Sequence, residues 1–411
     1  MKSTLAVNRY LPIVVLYFFF NSFLLPTGLL YTTLLTPFFI VWLFQYPSFK
    51  YLSVFFIITL PFAAIHFLQG INLYMYLRSY LLLFSVFVFG LAFWQFLKNC
   101  QSIRQLYKHI LLLMIFFIIV AIGALYFASI RPYFWYSNEI TESVGRIQRL
   151  KLLTYEPSYL SILLVPIVLF YVLKMILLDT KNKLLLLGLL LMPLLLSLSF
   201  GVIFGLLISL FLLFVLDYRL LTIKPSFPVY IVFFLMGLAT MMTTLILFFP
   251  ENVFFVRIGN VITGKDVSFT GRTYDSFYLS WKIASVKSIW FGAGPGQVRA
   301  IGLPFFQEYY NYSFPGGQIG IPNTIADTLA TYGLAGVSIR FIIQILLFIK
   351  TRVYFNYYRL ALFLFGFIYQ FTGSFITNIA EYVIWIVAFS PWVFTEFNRR
   401  QVLNRESIAL A

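Results

Sequence analysis

Arginine, glutamate, asparagine and clustered glycine are the residue types here that can do more than pack, and they gather in two stretches. Arg149 and Glu156 stand seven residues apart, immediately before Pro157-Ser158. Gly271-Arg272, Gly292-Ala-Gly294-Pro-Gly296, Arg299 and Pro322-Asn323-Thr324 follow within 250–336. Guanidinium groups grip phosphate with a planar fork and need no metal to do so. Proline at a first helical turn marks a helix start after Glu156, and an arginine in the preceding loop makes that start an anion site. Glu156 fits two roles equally: a carboxylate facing the positive end of the helix, or a general base.

Other matches fail on context. Gly259 to Lys265 spells G-x-x-x-x-G-K, but Asp266 stands where a hydroxyl would hold magnesium, and no strand precedes it. Gly292, Gly294 and Gly296 lie outside any βαβ unit, so their plain reading is a tight turn with Pro295 fixing φ. His66 and His109 lie in or beside apolar segments, far along the chain from both stretches. No histidine, cysteine and carboxylate cluster has metal spacing, and no Asp-x-Asp is present to hold a metal and nucleotide sugar. No metal and no other cofactor is expected. A glycosyl donor would then be neither cytosolic nor nucleotide-bound.

The elements that must position these residues are apolar helices. Of 411 residues 61% are hydrophobic and 10% charged, and the mean hydropathy is +0.92. That is too much apolar surface for a soluble chain of this length, and blocks of about 20 apolar residues match a bilayer core. About twelve spans are expected, near 11–26, 28–46, 51–68, 79–97, 109–129, 158–177, 184–199, 201–217, 228–249, 325–349, 355–374 and 379–396. The first runs into the second without a small-residue cleavage site, so an uncleaved first helix is expected. The single cysteine, Cys100, excludes an internal disulfide. No internal repeat, low-complexity segment or soluble domain interrupts 1–411, which therefore reads as one integral membrane domain of all-α class.

Lysine and arginine in the short loops set the orientation. Lys2 and Arg9, Lys50, Lys98 to Lys108, Lys181 and Lys183, Arg219 and Lys224, Lys350 and Arg352, and Arg399 and Arg400 all fall on one side. Both termini are then cytoplasmic, and two long loops, 130–157 and 250–324, face out. These loops are themselves rich in basic residues, Arg146, Arg149, Arg272 and Arg299 among them, which solubility explains in part and an anionic ligand explains better. Within the second loop Leu279, Ile283, Val286 and Trp290 recur on one helical stripe, so 275–290 is expected to be a helix on the membrane surface or against the bundle top. Charged residues in or near spans, Arg340, Asp327 and Glu381, predict a structural ion pair between Arg340 and one of the acids.

The ordered set of motifs carries a resemblance. Arg149-Leu-Lys-Leu-Leu-Thr-Tyr155-Glu156-Pro157-Ser158 resembles the Arg-x-x-Gly-x-x-x-Glu-Pro-Ser/Asn pattern of the O-antigen polymerase and ligase superfamily, with Leu152 in the glycine's place. Gly271-Arg272 with Gly292, Gly294 and Gly296 is similar to its Gly-Arg and Gly-x-Gly-x-Gly loop. Pro322-Asn323 followed by Gly333-Leu-Ala-Gly336 is similar to its His-Asn and Gly-x-x-Gly block. The similarity runs from about 109 to 350.

The resemblance implies a multi-spanning glycosyltransferase of GT-C-type architecture with a large periplasmic loop. It would act on undecaprenyl-diphosphate-linked oligosaccharide at the periplasmic face of a bacterial inner membrane. Its partners would be that lipid and the bilayer, with a chain-length regulator left open and no nucleic acid. Pro322 stands where the ligase branch has histidine, which weighs toward the polymerase branch (Wzy-type). Arg149 and Arg272 would stabilise the leaving diphosphate, and Glu156 would take the acceptor proton. Arg146, Arg299, Asn323, Tyr155, Gly292, Gly294 and Gly296 would bind substrate. A ligase acting on the same donor and a flippase with breaks at Pro193 and Gly201 are the competing readings.

Overall fold

Helix 157–177 is the element the rest of the chain packs around. In the computed structural model, which describes residues 12–26, 28–100, 102–139, 146–178, 182–217, 259, 263–264, 267–313 and 319–402, five helices are long and apolar enough to cross a membrane. In the Pro157–Leu177 helix 83% of the most apolar window is buried, against 11–50% in the other four. A helix apolar on every side belongs in the centre of a bundle.

In chain order the described elements begin with a π-helical turn at Leu16–Phe20 and α1 (Thr36–Leu43). A 3-10 turn at Pro47–Tyr51 leads into α2 (Leu52–Leu68), followed by α3 (Leu73–Asn99) and α4 (Ile103–Ala124). Strands β1 (Trp135–Glu139) and β2 (Arg146–Leu150) precede α5 (Pro157–Leu177), α6 (Lys183–Ser197) and α7 (Phe200–Leu216). The second long loop carries α8 (Val267–Arg272), α9 (Tyr274–Lys287), α10 (Gln297–Ile301) and α11 (Leu303–Tyr310). The chain closes with α12 (Thr324–Lys350), α13 (Tyr357–Tyr369) and α14 (Ile379–Phe389). The expected span 228–249 lies outside the described residues, as do Arg257, Lys265 and Asp266.

The architecture is that of a helical membrane-type protein, with segment lengths differing from those expected. The apolar segment 28–46 is divided between a short turn at Tyr31–Leu34 and α1. Helices α6, α7, α13 and α14 hold 15, 17, 13 and 11 residues, below the length that crosses a bilayer unaided. Hydropathy marks apolar segments without marking where a cap ends the helix inside them. Leu198 takes a left-handed φ of 49° at the end of α6, and asparagine caps set the starts of α13 and α14.

The loop 130–157, expected only as an irregular connection, contains the antiparallel pair β1–β2 with Tyr136 opposite Arg149 and Trp135 opposite Leu150. Trp135 and Leu150 are buried beneath it, and the Trp135 indole donates to the Ala121 carbonyl at 2.7 Å. That anchor gives the ribbon the packed face that a lone hairpin lacks.

Among the described residues, hydrogen bonds between loops bring the chemistry-bearing segments together at one end of the bundle. The start of α5, the α6–α7 turn, the start of α12 and the end of α13 meet there, as do the α2–α3 turn and α9 through Lys287 Nζ, which donates to Gln69 O at 2.7 Å. At the opposite end Tyr357 donates to Asp217 at 2.9 Å and Arg104 pairs with Glu396 at 2.8 Å.

Candidate functional site

An asparagine and three glycines join the loops at the first end, and both kinds of residue serve architecture. Asn323 is fully buried; its Oδ1 accepts the Ala326 N–H at 3.0 Å and its Nδ2 donates to Arg272 O at 2.8 Å and to Phe371 O. Asn72, Asn356 and Asn378 cap α3, α13 and α14 in the same manner. Asn323 therefore fixes α8 and the chain after α13 to the start of α12; every one of its side-chain bonds is to backbone.

Gly292, Gly294 and Gly296 all have positive φ, of 76°, 103° and 73°. They thread a strand-like segment into a break in α12. Gly333 has φ 65° and ψ −165°, which interrupts the helix and frees backbone groups on both sides. Ala293 and Gly294 donate to Ala330 O and Thr331 O at 2.8 and 2.9 Å. Leu334 and Ala335 donate to Ile289 O and Trp290 O, each at 2.9 Å. The glycine loop thus satisfies the broken helix, the condition under which non-helical backbone is tolerated inside an apolar bundle. The N–H groups of Ala293 and Gly294 are spent in this joint.

His66, separated from the loop by more than two hundred residues of sequence, bonds its Nε2 to Phe291 O at 2.8 Å and its Nδ1 to the Tyr76 hydroxyl at 3.2 Å. The sequence placed this histidine remote from the loops; the turn between α2 and α3 returns it to them. It is fully buried.

The expected ion pair is present. Arg340 pairs with Glu381, and its Nε donates to Gln370 Oε1 at 3.0 Å. Glu381 also accepts from Thr324 Oγ1 at 2.8 Å. Thr324 precedes the Gly333 break and Arg340 follows it, so one carboxylate on α14 holds both halves of α12. Asp327 accepts the Ile376 N–H at 3.2 Å, and the exposed Arg299 lies within electrostatic range of it.

The two arginines singled out from sequence differ. Arg149, on β2, donates from Nε to Ser197 O at 2.9 Å and from an Nη to Leu198 O at 3.4 Å, carbonyls at the C-terminal end of α6 where positive charge is favoured. Arg272, the last residue of α8, has no hydrogen-bond or ion-pair partner for its guanidinium among the described residues. Glu156 is the N-cap of α5 with extended backbone, as a residue before proline prefers, and its carboxylate accepts Ser158 Oγ at 2.6 Å without bonding a helix N–H. Both charges, with Glu381, lie within electrostatic range of the Tyr369 hydroxyl. Tyr155 lies beside Glu156, its ring 4.7 Å from that of Tyr159; burial, then the charge of Glu156, holds its hydroxyl well above the usual tyrosine range. Burial likewise pushes the Lys151 ammonium down. Arg146 sits on β2, and its side chain lies outside the described residues.

Tyr369 was not foreseen. It sits in an apolar stretch, and nothing in its spacing distinguishes it from a packing tyrosine. The end of α13 abuts the α6–α7 turn, where a Cβ on Gly201 would lie 4.0 Å from the Tyr369 ring, and the charges of Arg272 and Glu156 act on its hydroxyl from electrostatic range.

Fold and site together define a helical membrane-type protein with a polar set of arginine, glutamate and tyrosine at one end. Compared with known proteins, the chain matches no family model and no curated sequence.

Proposed function

We propose that this chain is a glycosyltransferase that joins undecaprenyl-diphosphate-linked oligosaccharide units into a surface polysaccharide, in the manner of the polymerase branch of the O-antigen superfamily. In this reading the chain has twelve spans and GT-C-type architecture, lies in a bacterial inner membrane with both termini cytoplasmic, and works at the periplasmic face. The observation that carries the reading is that separate motifs meet at one end of the bundle: Asn323 bonds Arg272 O and Phe371 O, and Arg149 bonds the α6–α7 turn, which faces the end of α13 at Tyr369.

Two further observations support it. Leu152, at the position where the resembled pattern has glycine, takes a left-handed φ of 49°, the conformation glycine adopts without steric cost. The Gly-x-Gly-x-Gly and Gly-x-x-Gly motifs are the two halves of one joint, which accounts for their occurring together.

The step is a displacement at the anomeric carbon. The acceptor hydroxyl oxygen forms a bond to that carbon as the bond to the diphosphate oxygen breaks. The lipid diphosphate leaves with the electron pair and is stabilised by the Arg272 guanidinium. The hydroxyl proton passes to Glu156, whose second oxygen has no partner among the described residues. Arg149, with donors committed to Ser197 and Leu198, positions the α6–α7 turn beside this set.

The test uses cells whose ligase is a separate protein. With Arg272→Ala, long glycan ladders vanish while a single unit still reaches the lipid core. Loss of even that unit, with polymer stranded on its carrier, assigns the chain to the ligase branch. Normal ladders at normal protein levels overturn the role of Arg272, and lipid-linked donor trapped on the cytoplasmic side points to a flippase.

A further inference from the structure

We propose that three tyrosines of the second long loop, Tyr274 and Tyr278 on α9 with Tyr309 on α11, form a platform on which sugar rings of the lipid-linked substrate stack. The inference rests on the glycosyl-transfer reading above and adds to it a place for the sugars, which none of the sequence motifs contains.

Helix α9 has two unlike faces. Leu279 and Ile283 are buried in one cluster with Phe306, Ala326 and Ala330. The apolar stripe that a membrane-surface helix would lay on lipid is thus already used inside the protein. The outward face carries Tyr274 and Tyr278, 70% and 37% exposed and one helical turn apart. Their rings lie parallel, with 10° between the planes and 6.4 Å between centroids. The Tyr309 ring, also 37% exposed, stands 5.2 Å from that of Tyr278.

The rings are held in place by polar partners. The Tyr309 hydroxyl donates to one oxygen of the buried Asp275 at 2.9 Å, and Tyr310 donates to the other at 3.0 Å. Lys282 Nζ stands 5.0 Å over the centre of the Tyr278 ring, which leaves Tyr274 the most open of the three. Preset rings lose little entropy when a ligand stacks on them. Lys282 and the exposed Glu308, next to Tyr309, bring both signs of charge to the rim. Hydrocarbon would strip those charges of water, and a polyanion would meet Glu308. A sugar offers its C–H face to the negative face of a ring and its hydroxyls to the charged rim. The platform begins two residues after Arg272, the group assigned above to the diphosphate, and so continues the proposed site along α9.

The experiment uses the full chain in nanodiscs and two probes: the lipid-linked single repeat unit purified from cells lacking this chain, and undecaprenyl diphosphate without sugar. Tyr274→Ala weakens binding of the repeat unit roughly tenfold, the value of one aromatic contact, and Tyr274→Ala with Tyr278→Ala weakens it further. Tyr274→Trp, which keeps a ring, retains most of it. Binding of undecaprenyl diphosphate is the same in all of them. Undiminished binding of the repeat unit by the double variant overturns the platform and leaves the functional reading standing. An equal loss with both probes assigns the effect to the lipid diphosphate and overturns it too. In a Cys100→Ser background, Tyr274→Cys reacts with an impermeant maleimide and is protected by the repeat unit; no reaction, in protein that still binds undecaprenyl diphosphate, assigns this face to the bilayer and overturns the proposal. Failure of wild type to bind either probe overturns the functional reading, and the proposal with it.

Discussion

Gly292 and Gly333 face each other so closely that a Cβ on Gly292 would lie 2.6 Å from the Gly333 nitrogen and 2.5 Å from the Thr331 carbonyl carbon. A loop and a broken helix can approach to this distance only where both lack side chains. Gly292→Ala meets backbone on one side and a φ of 76° on the other, and should cost about 3 kcal/mol or more. Gly188→Ala in α6 meets nothing within 4 Å and should stay within about 1 kcal/mol of wild type. Thermal unfolding followed by size-exclusion chromatography in detergent separates the two.

The Arg340 and Glu381 pair carries a different expectation. The side chains are 15% and 2% exposed, so removing either leaves a buried charge. Glu381→Gln or Arg340→Met alone should lose about 3–5 kcal/mol, and the double substitution should recover part of it. A double-mutant cycle of melting midpoints measures the coupling, and strict additivity would refute the staple across the α12 break.

Arg149 and Arg272 should part company when each is changed to alanine. Arg272→Ala should lower activity about 10²- to 10³-fold with melting unchanged, and lysine should restore a fraction of it. Arg149→Ala should lower the melting point as well, since Ser197 O and Leu198 O lose their donor. A fall in melting temperature with Arg272→Ala would show that its guanidinium is structural.

Alkaline pH should loosen the second long loop. The Tyr309 and Tyr310 hydroxyls donate to the two oxygens of Asp275 at 2.9 and 3.0 Å. Desolvation first, then the bond to Asp275, pushes Tyr309 up to about 12. A raised folded-state value means that this stabilisation is complete below about pH 10, the unfolded value, and disappears as pH rises through about 12. Protease cleavage near 303–310 should rise over that window in wild type and show no such step in a Tyr309→Phe, Tyr310→Phe variant.

Labelling tests orientation. In a Cys100→Ser background, a cysteine at Ser313 should react with an impermeant maleimide added outside cells, and one at Lys350 only after permeabilisation. Both positions are exposed. Reaction of both from outside would overturn the topology.

By itself the sequence determined that the chain is built of apolar helices, where its two chemistry-bearing loops lie, and that Arg340 must find an acid. Each follows from local composition or from the cost of an unpaired charge in apolar surroundings. It also marked the start of α5, because proline after Glu156 leaves few backbone options. Tertiary structure decided the rest. Asparagine at 323 carries the same chemical groups whether it binds a sugar or caps a helix, and only the presence of Arg272 O and the Ala326 N–H around it selects the cap. The glycine loop is a turn in sequence, but in space its backbone completes α12, because hydrogen bonds between residues forty apart leave no local pattern. His66 and Tyr369 are the plainest cases. Their neighbours, Phe291 for the one and the α6–α7 turn at Gly201 for the other, are brought to them by helices crossing the bundle, and burial in an apolar stretch looks the same in sequence whether a polar group ends beside nothing or beside a distant loop.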